Sequence, residues 1–173
     1  MSATAANGYK GKVYFFEKSN CSWTETESFI ETEGSYQFFG EYIKIHDDIA
    51  MAVSTNFSSL KVRLFEKINN SWAVQDSAKF DDPTLTGAGC STPFQSVDTD
   101  ISDSLAILSG ITNATAPYKS TLFFQKTPSG WQHSYHVKDL NTTALQKAKI
   151  LNNQAIGYLG QNRITTLSHN GVA

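Results

Sequence analysis

Along nearly the whole chain, apolar residues alternate with polar ones over short stretches that end in clusters of Asn, Asp, Ser, Gly or Pro. A period of two places successive side chains on opposite faces of an extended backbone, so each stretch predicts a half-buried β-strand. Three stretches follow one plan: GKVYFFEKSNCSW from Gly11 to Trp23, KVRLFEKINNSW from Lys61 to Trp72, and STLFFQKTPSGW from Ser120 to Trp131. Each predicts a hairpin with a tryptophan just after its polar turn. Between them lies a second kind of hairpin: FFGEYIKIHDDIAMAVS from Phe38, PFQSVDTDISDSLAILSG from Pro93 and ALQKAKILNNQAIGYLG from Ala144. Its second strands, Ile49 to Val53, Leu105 to Leu108 and Ala155 to Leu159, are almost continuously apolar. Such a run marks a strand buried on both faces, so these hairpins are read as the inner ones.

The chain is therefore one repeated unit in three divergent copies, with its tryptophans spaced by 49 and then 59 residues. The predicted layout is an N-terminal arm over residues 1–10, a single repeat domain over 11–167 (repeats 11–59, 60–118 and 119–167) and a tail over 168–173. In this layout an outer hairpin over 11–29 lacks its inner partner. An inner hairpin over 145–159, followed by a short strand near Arg163 to Leu167, lacks its outer one. Two complete four-stranded units lie between them. The unpaired edges at both ends predict that the chain does not close a ring by itself. The tryptophans are expected to wedge between neighbouring sheets, and the predicted core runs through Phe39, Ile43, Ile45, Val53, Val62, Leu64, Trp72, Phe94, Val97, Ile107, Leu122, Phe124 and Ile156.

Composition narrows the function classes. Charged residues make up 17% of the 173 and the formal charge is -2, so there is no basic face of the kind that releases counterions from nucleic acid. No run of about 18 apolar residues predicts membrane insertion, and the start MSATAANGYKGK lacks the basic-then-apolar pattern of a secretory signal. Five Asn-x-Ser/Thr sequons, at Asn20, Asn56, Asn69, Asn113 and Asn141, keep glycosylation and an extracellular, surface or particle-associated setting in view. Polar β-turns use the same residue types for their own geometry. Cys21 and Cys90 are too few for a disulfide scaffold. An outer-hairpin turn and an inter-hairpin connection fall at opposite ends of a blade, so the two are expected to stay unpaired.

GKVYFFEK followed by Ser22-Trp23, then Phe39-Gly40, then IKIHDDIAMAV resembles the FG-GAP repeats of β-propellers, such as the integrin α-chain head and bacterial surface proteins. The resemblance is clearest in the first copy. Later, Phe39-Gly40 becomes Phe94-Gln95 and Leu145-Gln146, and the closing Gly-Ala pair becomes Ser54-Thr55, Ser109-Gly110 and Leu159-Gly160. It implies an all-β fold of propeller-like blades, each a four-stranded antiparallel sheet, with about three blade-equivalents per chain. A β-trefoil, which also has three repeats, is the alternative; the apolar inner strands and the resemblance weigh against it.

Some members of that family bind calcium in the inner-hairpin turn through a D-x-D-x-D-G pattern, because Ca²⁺ takes six to eight hard oxygens. Asp98, Asp100 and Asp103 are the nearest counterpart, but Ile101 and Ser102 interrupt the spacing and no glycine tightens the turn. A solvated acidic turn is the favoured reading, and no cofactor is expected. His133 and His136, with an odd separation on one strand, are expected on opposite faces, which would keep them from sharing a metal. There is no G-x-S-x-G elbow and no Gly-rich phosphate loop, and no catalytic residue is assigned.

The reading for function is a non-catalytic binding or structural assembly module that completes its fold by self-association or with another propeller-like subunit. A carbohydrate-binding or adhesion module is the alternative. Binding is expected on the loops Glu31 to Gln37, Thr55 to Leu60, Asp81 to Pro93, Gly110 to Lys119 and Asp139 to Thr143, through Tyr36, Asn56, Phe57, Asp82, Asn113, Tyr118 and Asn141.

Overall fold

The computed structural model describes residues 1–3, 8–33, 37–55, 60–80, 98–113, 116–139, 147–151, 154–158, 164–168 and 171–172. These residues are strands and the turns that join them. The first sheet holds β1 (Ser2–Ala3), β2 (Lys12–Ser19) and β3 (Ser22–Ile30). The second holds β4 (Gln37–His46), β5 (Ile49–Thr55), β6 (Leu60–Ile68) and β7 (Ser71–Phe80). The third holds β8 (Asp98–Ile101), β9 (Leu105–Asn113), β10 (Ala116–Thr127) and β11 (Gly130–Asp139). The fourth holds β12 (Lys147–Leu151), β13 (Gln154–Tyr158), β14 (Ile164–Ser168) and β15 (Gly171–Val172). Every sheet is antiparallel with its strands side by side in chain order, so three of the four are blade-like meanders of four strands. Two compact units form, one carrying the first and second sheets and the other the third and fourth.

Local chemistry accounts for the outer hairpins. Asn20 and Cys21 have φ of 47° and 67°, and Asn69 and Asn70 have 52° and 65°. Two successive left-handed residues make the turn whose twist matches that of the flanking strands, and asparagine adopts it at low cost. The sequon asparagines 20 and 69 thus serve the turn. Further along, the same irregularity recurs three times: Thr26, Gln75 and Ser134 are extra residues opposite Phe15/Phe16, Leu64/Phe65 and Phe123/Phe124. This bulge corrects the parity expected for the two histidines. His133 pairs with Phe124 and His136 with Leu122, so their backbone positions fall on the same side of the sheet.

β5 is buried from end to end, and Leu105 to Ser109 of β9 are buried as well, as the continuous apolar runs required. Of the expected core, Phe39, Val53, Val62, Leu64, Trp72, Ile107, Leu122 and Phe124 are buried and Ile156 is half-buried; Phe94 and Val97 lie outside the described residues. Ile43 and Ile45 differ, at 39% and 58% exposed. The stretch Gly110 to Lys119, expected as a loop, is strand on both sides of positions 114–115, with Asn113 paired to Ala116. The terminal hairpin is not an orphan either: β14 and β15 add to β13 and complete a four-stranded sheet.

The first two sheets are joined by close backbone contact and by a buried charge cluster. Gly11 bridges Phe39, whose N–H donates to the Lys10 carbonyl at 3.0 Å. Gly11 has φ 85°, and a Cβ there would lie 2.3 Å from the Phe39 carbonyl oxygen, so only glycine fits. Phe15 stacks on Trp72 with centroids 4.3 Å apart, and Phe29 and Phe65 close the core around them. Glu31, read from sequence as a loop residue, is fully buried. It accepts hydrogen bonds from Arg63 at 2.7 Å, Ser54 at 2.9 Å and the Glu33 N–H at 3.0 Å. Lys61 bridges to Glu33 at 2.5 Å, and the Arg63 guanidinium lies 4.5 Å from the centre of the Phe39 ring. Removing one partner would strand a buried charge, so Arg63→Ala is expected to destabilise the chain by about 3–5 kcal/mol in urea denaturation. Substituting Glu31 and Arg63 together by apolar residues of similar volume is expected to cost less than Arg63→Ala alone.

Nearer the turns, Lys67 pairs with Glu17 at 2.5 Å and Ser71 donates to Glu27 at 2.8 Å. Hydrogen bonds from Thr26, Ser71 and the Trp72 backbone, with the nearby Lys67 charge, hold the Glu27 carboxyl below its ordinary 4.5. A depressed folded-state value adds stability above 4.5 that is lost as the pH falls through it. The stability difference between the chain and its Glu27→Gln variant, read from urea midpoints, is therefore expected to be largest near neutral pH and to shrink below pH 4.5.

Candidate functional site

The exposure of Ile43 and Ile45 has a direct cause. In the second sheet β5 covers β6 from Leu60 to Glu66, and in the third β9 covers β10 through Gln125. The counterpart in the first sheet, β1, pairs only with Lys12 and Val13, and Met1 exchanges backbone hydrogen bonds with Tyr14 at 2.8 and 3.1 Å. Opposite Phe15, Phe16 and Glu17, where the second sheet has Met51, Ala50 and Ile49, no strand is paired among the described residues. The alternation that directs the backbone of Lys12 and Tyr14 toward β1 directs the N–H and C=O of Phe16 and Lys18 to the same open side.

A cavity of about 630 Å³ wraps around this edge. On one side lie Ile43, Ile45, Ala50 and Ala52 of the second sheet, and on the other Tyr14, Phe16 and Trp23 of the first. Phe65 and Trp72 also line it, and Lys44 is its cationic residue. Among the described residues no carboxylate, imidazole or aliphatic hydroxyl lines it, so its chemistry is that of an apolar receptor with an open backbone edge.

The apolar residues facing this cleft match buried ones elsewhere in the chain. Phe16 aligns with Phe65 and Phe124, which are both buried. Trp23 is 66% exposed, whereas its counterparts Trp72 and Trp131 are 7% and 1% exposed. Trp72 has the first sheet to stack on, and Trp23 has no such neighbour among the described residues. The expected wedge role therefore holds for burial at Trp72 and Trp131 and fails at Trp23.

The residues singled out from sequence lie elsewhere. Tyr36, Asn56, Phe57, Asp82 and Asn141 are outside the described residues, while Asn113 and Tyr118 stand in β9 and β10. Asp98, Asp100 and Asp103 are not gathered around one point among the described residues. Asp100 is buried and its Oδ2 accepts the Ile150 N–H at 2.8 Å; Asp98 caps the Thr99 N–H at 3.1 Å with Lys149 at 3.9 Å; Asp103 is exposed. Cys21 is an exposed free thiol, and Cys90 lies outside the described residues. Sequence reasoning missed the cleft because alternation assigns faces but not which faces find a neighbour. The signal available was the orphan outer hairpin itself.

No protein-family model matches the chain, and no curated protein matches it.

The two tryptophan environments separate cleanly in experiment. Trp72→Ala is expected to cost about 3–5 kcal/mol, and Trp23→Ala to stay within about 0.5 kcal/mol. Iodide should quench the fluorescence of Trp23 and leave the remainder largely protected.

Proposed function

We propose that the chain is a non-catalytic binding and assembly module made of FG-GAP-like propeller blades, which completes its first sheet with a strand from another subunit. One observation carries the reading: the first sheet keeps the aromatic residues that are buried in its sister sheets, yet leaves them around an open cleft. Exposed apolar area of this kind on a soluble chain marks an interaction surface. The open edge at Phe16 and Lys18 adds directional hydrogen bonding, which strand addition uses for affinity. A surface or particle-associated setting suits such a module, and the turn geometry at Asn20 and Asn69 leaves both sequons exposed.

The carbohydrate-binding alternative rests on Trp23, whose exposed indole at the cleft rim would suit stacking on a sugar face. Glycan-array binding lost in Trp23→Ala would favour it.

Sedimentation velocity over a micromolar concentration series tests assembly. Reversible self-association that weakens in Ile45→Asp is expected. A compact monomer at every concentration, with amide exchange at Phe16 and Lys18 as slow as in β6, would overturn self-assembly through this edge.

A further inference from the structure

The cleft has an internal counterpart that shows what fills such a position. On repeat alignment Ile43, Lys44, Ile45 and Ala50 correspond to Ala148, Lys149, Ile150 and Ala155 of the fourth sheet. Both hairpins have the same register: Ile45 pairs with Ala50 and Ile150 with Ala155, each one step before the pair that closes a two-residue turn. In that register the N–H of Ile45, like that of Ile150, points away from its own hairpin. The two environments then diverge. β8 and β9 of the third sheet lie against β12, burying Ala148 to 1% exposure and packing Leu105 and Ile107 against Ala148 and Ala155. Asp100 on β8 accepts the Ile150 N–H, and Asp98, two residues earlier, faces Lys149. Over Ile43 and Ile45 no such hairpin is present among the described residues, and Ile45 is 58% exposed.

The geometry points to a specific occupant: a β-hairpin of a partner chain built like β8–β9, an acidic Asp-x-Asp first strand followed by a wholly apolar second strand. The apolar strand pairs antiparallel with β2, in the line that β1 now occupies as far as Tyr14, and displaces β1. It must be apolar on both faces, because one face meets Ile43 and Ile45 and the other continues the surface of Tyr14, Phe16 and Trp23. β9 has this character, with Leu105 to Leu108 buried on both sides. The acidic strand sets one carboxylate on the Ile45 N–H and a second beside Lys44. Charge complementarity supports the choice, since Lys44 borders the cleft and no carboxylate lines it among the described residues. A small apolar ligand would use the walls but not the backbone edge. Within the chain β5, β9 and β13 are each paired on both sides, so the hairpin comes from another subunit that carries blades of this type.

This inference rests on the assembly reading and names its partner. The probe is a labelled synthetic peptide with the sequence of residues 98–109, DTDISDSLAILS, titrated onto the full chain by fluorescence anisotropy. One-to-one binding is expected. Affinity should fall about tenfold or more in Ile45→Asp, a substitution at an exposed site that leaves the circular dichroism unchanged. A similar fall is expected when the peptide's Asp100 is replaced by Asn. N-methylation of the peptide amides that face β2 should abolish binding, while N-methylation on the alternate amides of the same strand should not. Deleting Met1–Ala3 should strengthen binding. No binding, or binding matched by a scrambled peptide or unaffected by N-methylation, overturns the inference. The two readings fail separately. A chain that stays monomeric yet takes the peptide retains the hairpin site and loses self-assembly, and a self-associating chain that the peptide does not compete retains assembly and loses this site.

Discussion

The fold depends on one requirement: a strand that is apolar on both faces must be paired along its edges and covered on both sides. β5 meets it fully, flanked by β4 and β6 and buried at every residue. Everything around β5 follows from that burial. Phe65 and Trp72 bring an aromatic face to the first sheet, and Phe15 stacks on it. Gly11 and Phe39 bring backbones into contact at the joint, where a side chain at residue 11 would collide with a carbonyl. Arg63 and Lys61 are drawn inward on a strand that has no solvent face left, and Glu31 and Glu33 neutralise them there. The buried ion cluster is thus a consequence of covering a polar-alternating strand on both sides. Such a cluster roughly breaks even against apolar packing, while loss of a single partner is costly.

The same requirement accounts for what was readable in the sequence. Hairpins, turns and inner strands were legible because period and turn chemistry act locally, and the three copies vote together. Asn20 and Asn69 in left-handed turns, the buried run Ile49 to Val53 and the incomplete first hairpin all belong to that class. What was not legible depends on neighbours. Ile43 and Ile45 carry the pattern of core residues and stand exposed, because pattern reports what a side chain would bury, not whether a sheet arrives to bury it. Arg63 shows the converse, a charged residue on an apparently solvent-facing position that a second layer has enclosed. The bulges at Thr26, Gln75 and Ser134 were invisible to alternation for a third reason: one inserted residue reverses parity without changing composition.

Of the candidate site, the sequence disclosed the missing hairpin but not the cavity, and it directed attention to loops instead. Loop-tip asparagines and tyrosines are sound guesses when a scaffold is complete, because strands then have nothing left to offer. Here the first sheet keeps an open edge among the described residues. A strand edge with Phe16 and Lys18 facing outward, bordered by Trp23 and Ile45, offers more directional binding capacity than a polar loop. The acidic residues around Asp100 show the same shift of meaning. The sequence favours a solvated acidic turn there over a calcium loop, and in the structure Asp100 is instead buried and holds the neighbouring sheet by accepting a backbone N–H.

The retention of aromatic residues at the open face argues about selection of partner as well as presence of one. A surface exposed to water gains nothing from Phe16 and Trp23, and a surface that adsorbed any apolar body would need no particular register. In this chain the register is set: the two-residue turn fixes the outward direction of the Ile45 N–H, and the alternation of β2 fixes those of Phe16 and Lys18. On the proposed assembly reading, the backbone groups of these three residues, flanked by two apolar walls, accept an extended peptide in one alignment and penalise it by unpaired hydrogen bonds when it slips by one residue. On that reading, discrimination among partners resides in backbone geometry, with the apolar walls supplying affinity. A chain whose third sheet already carries a hairpin of the matching kind shows that its own sequence grammar can write the partner.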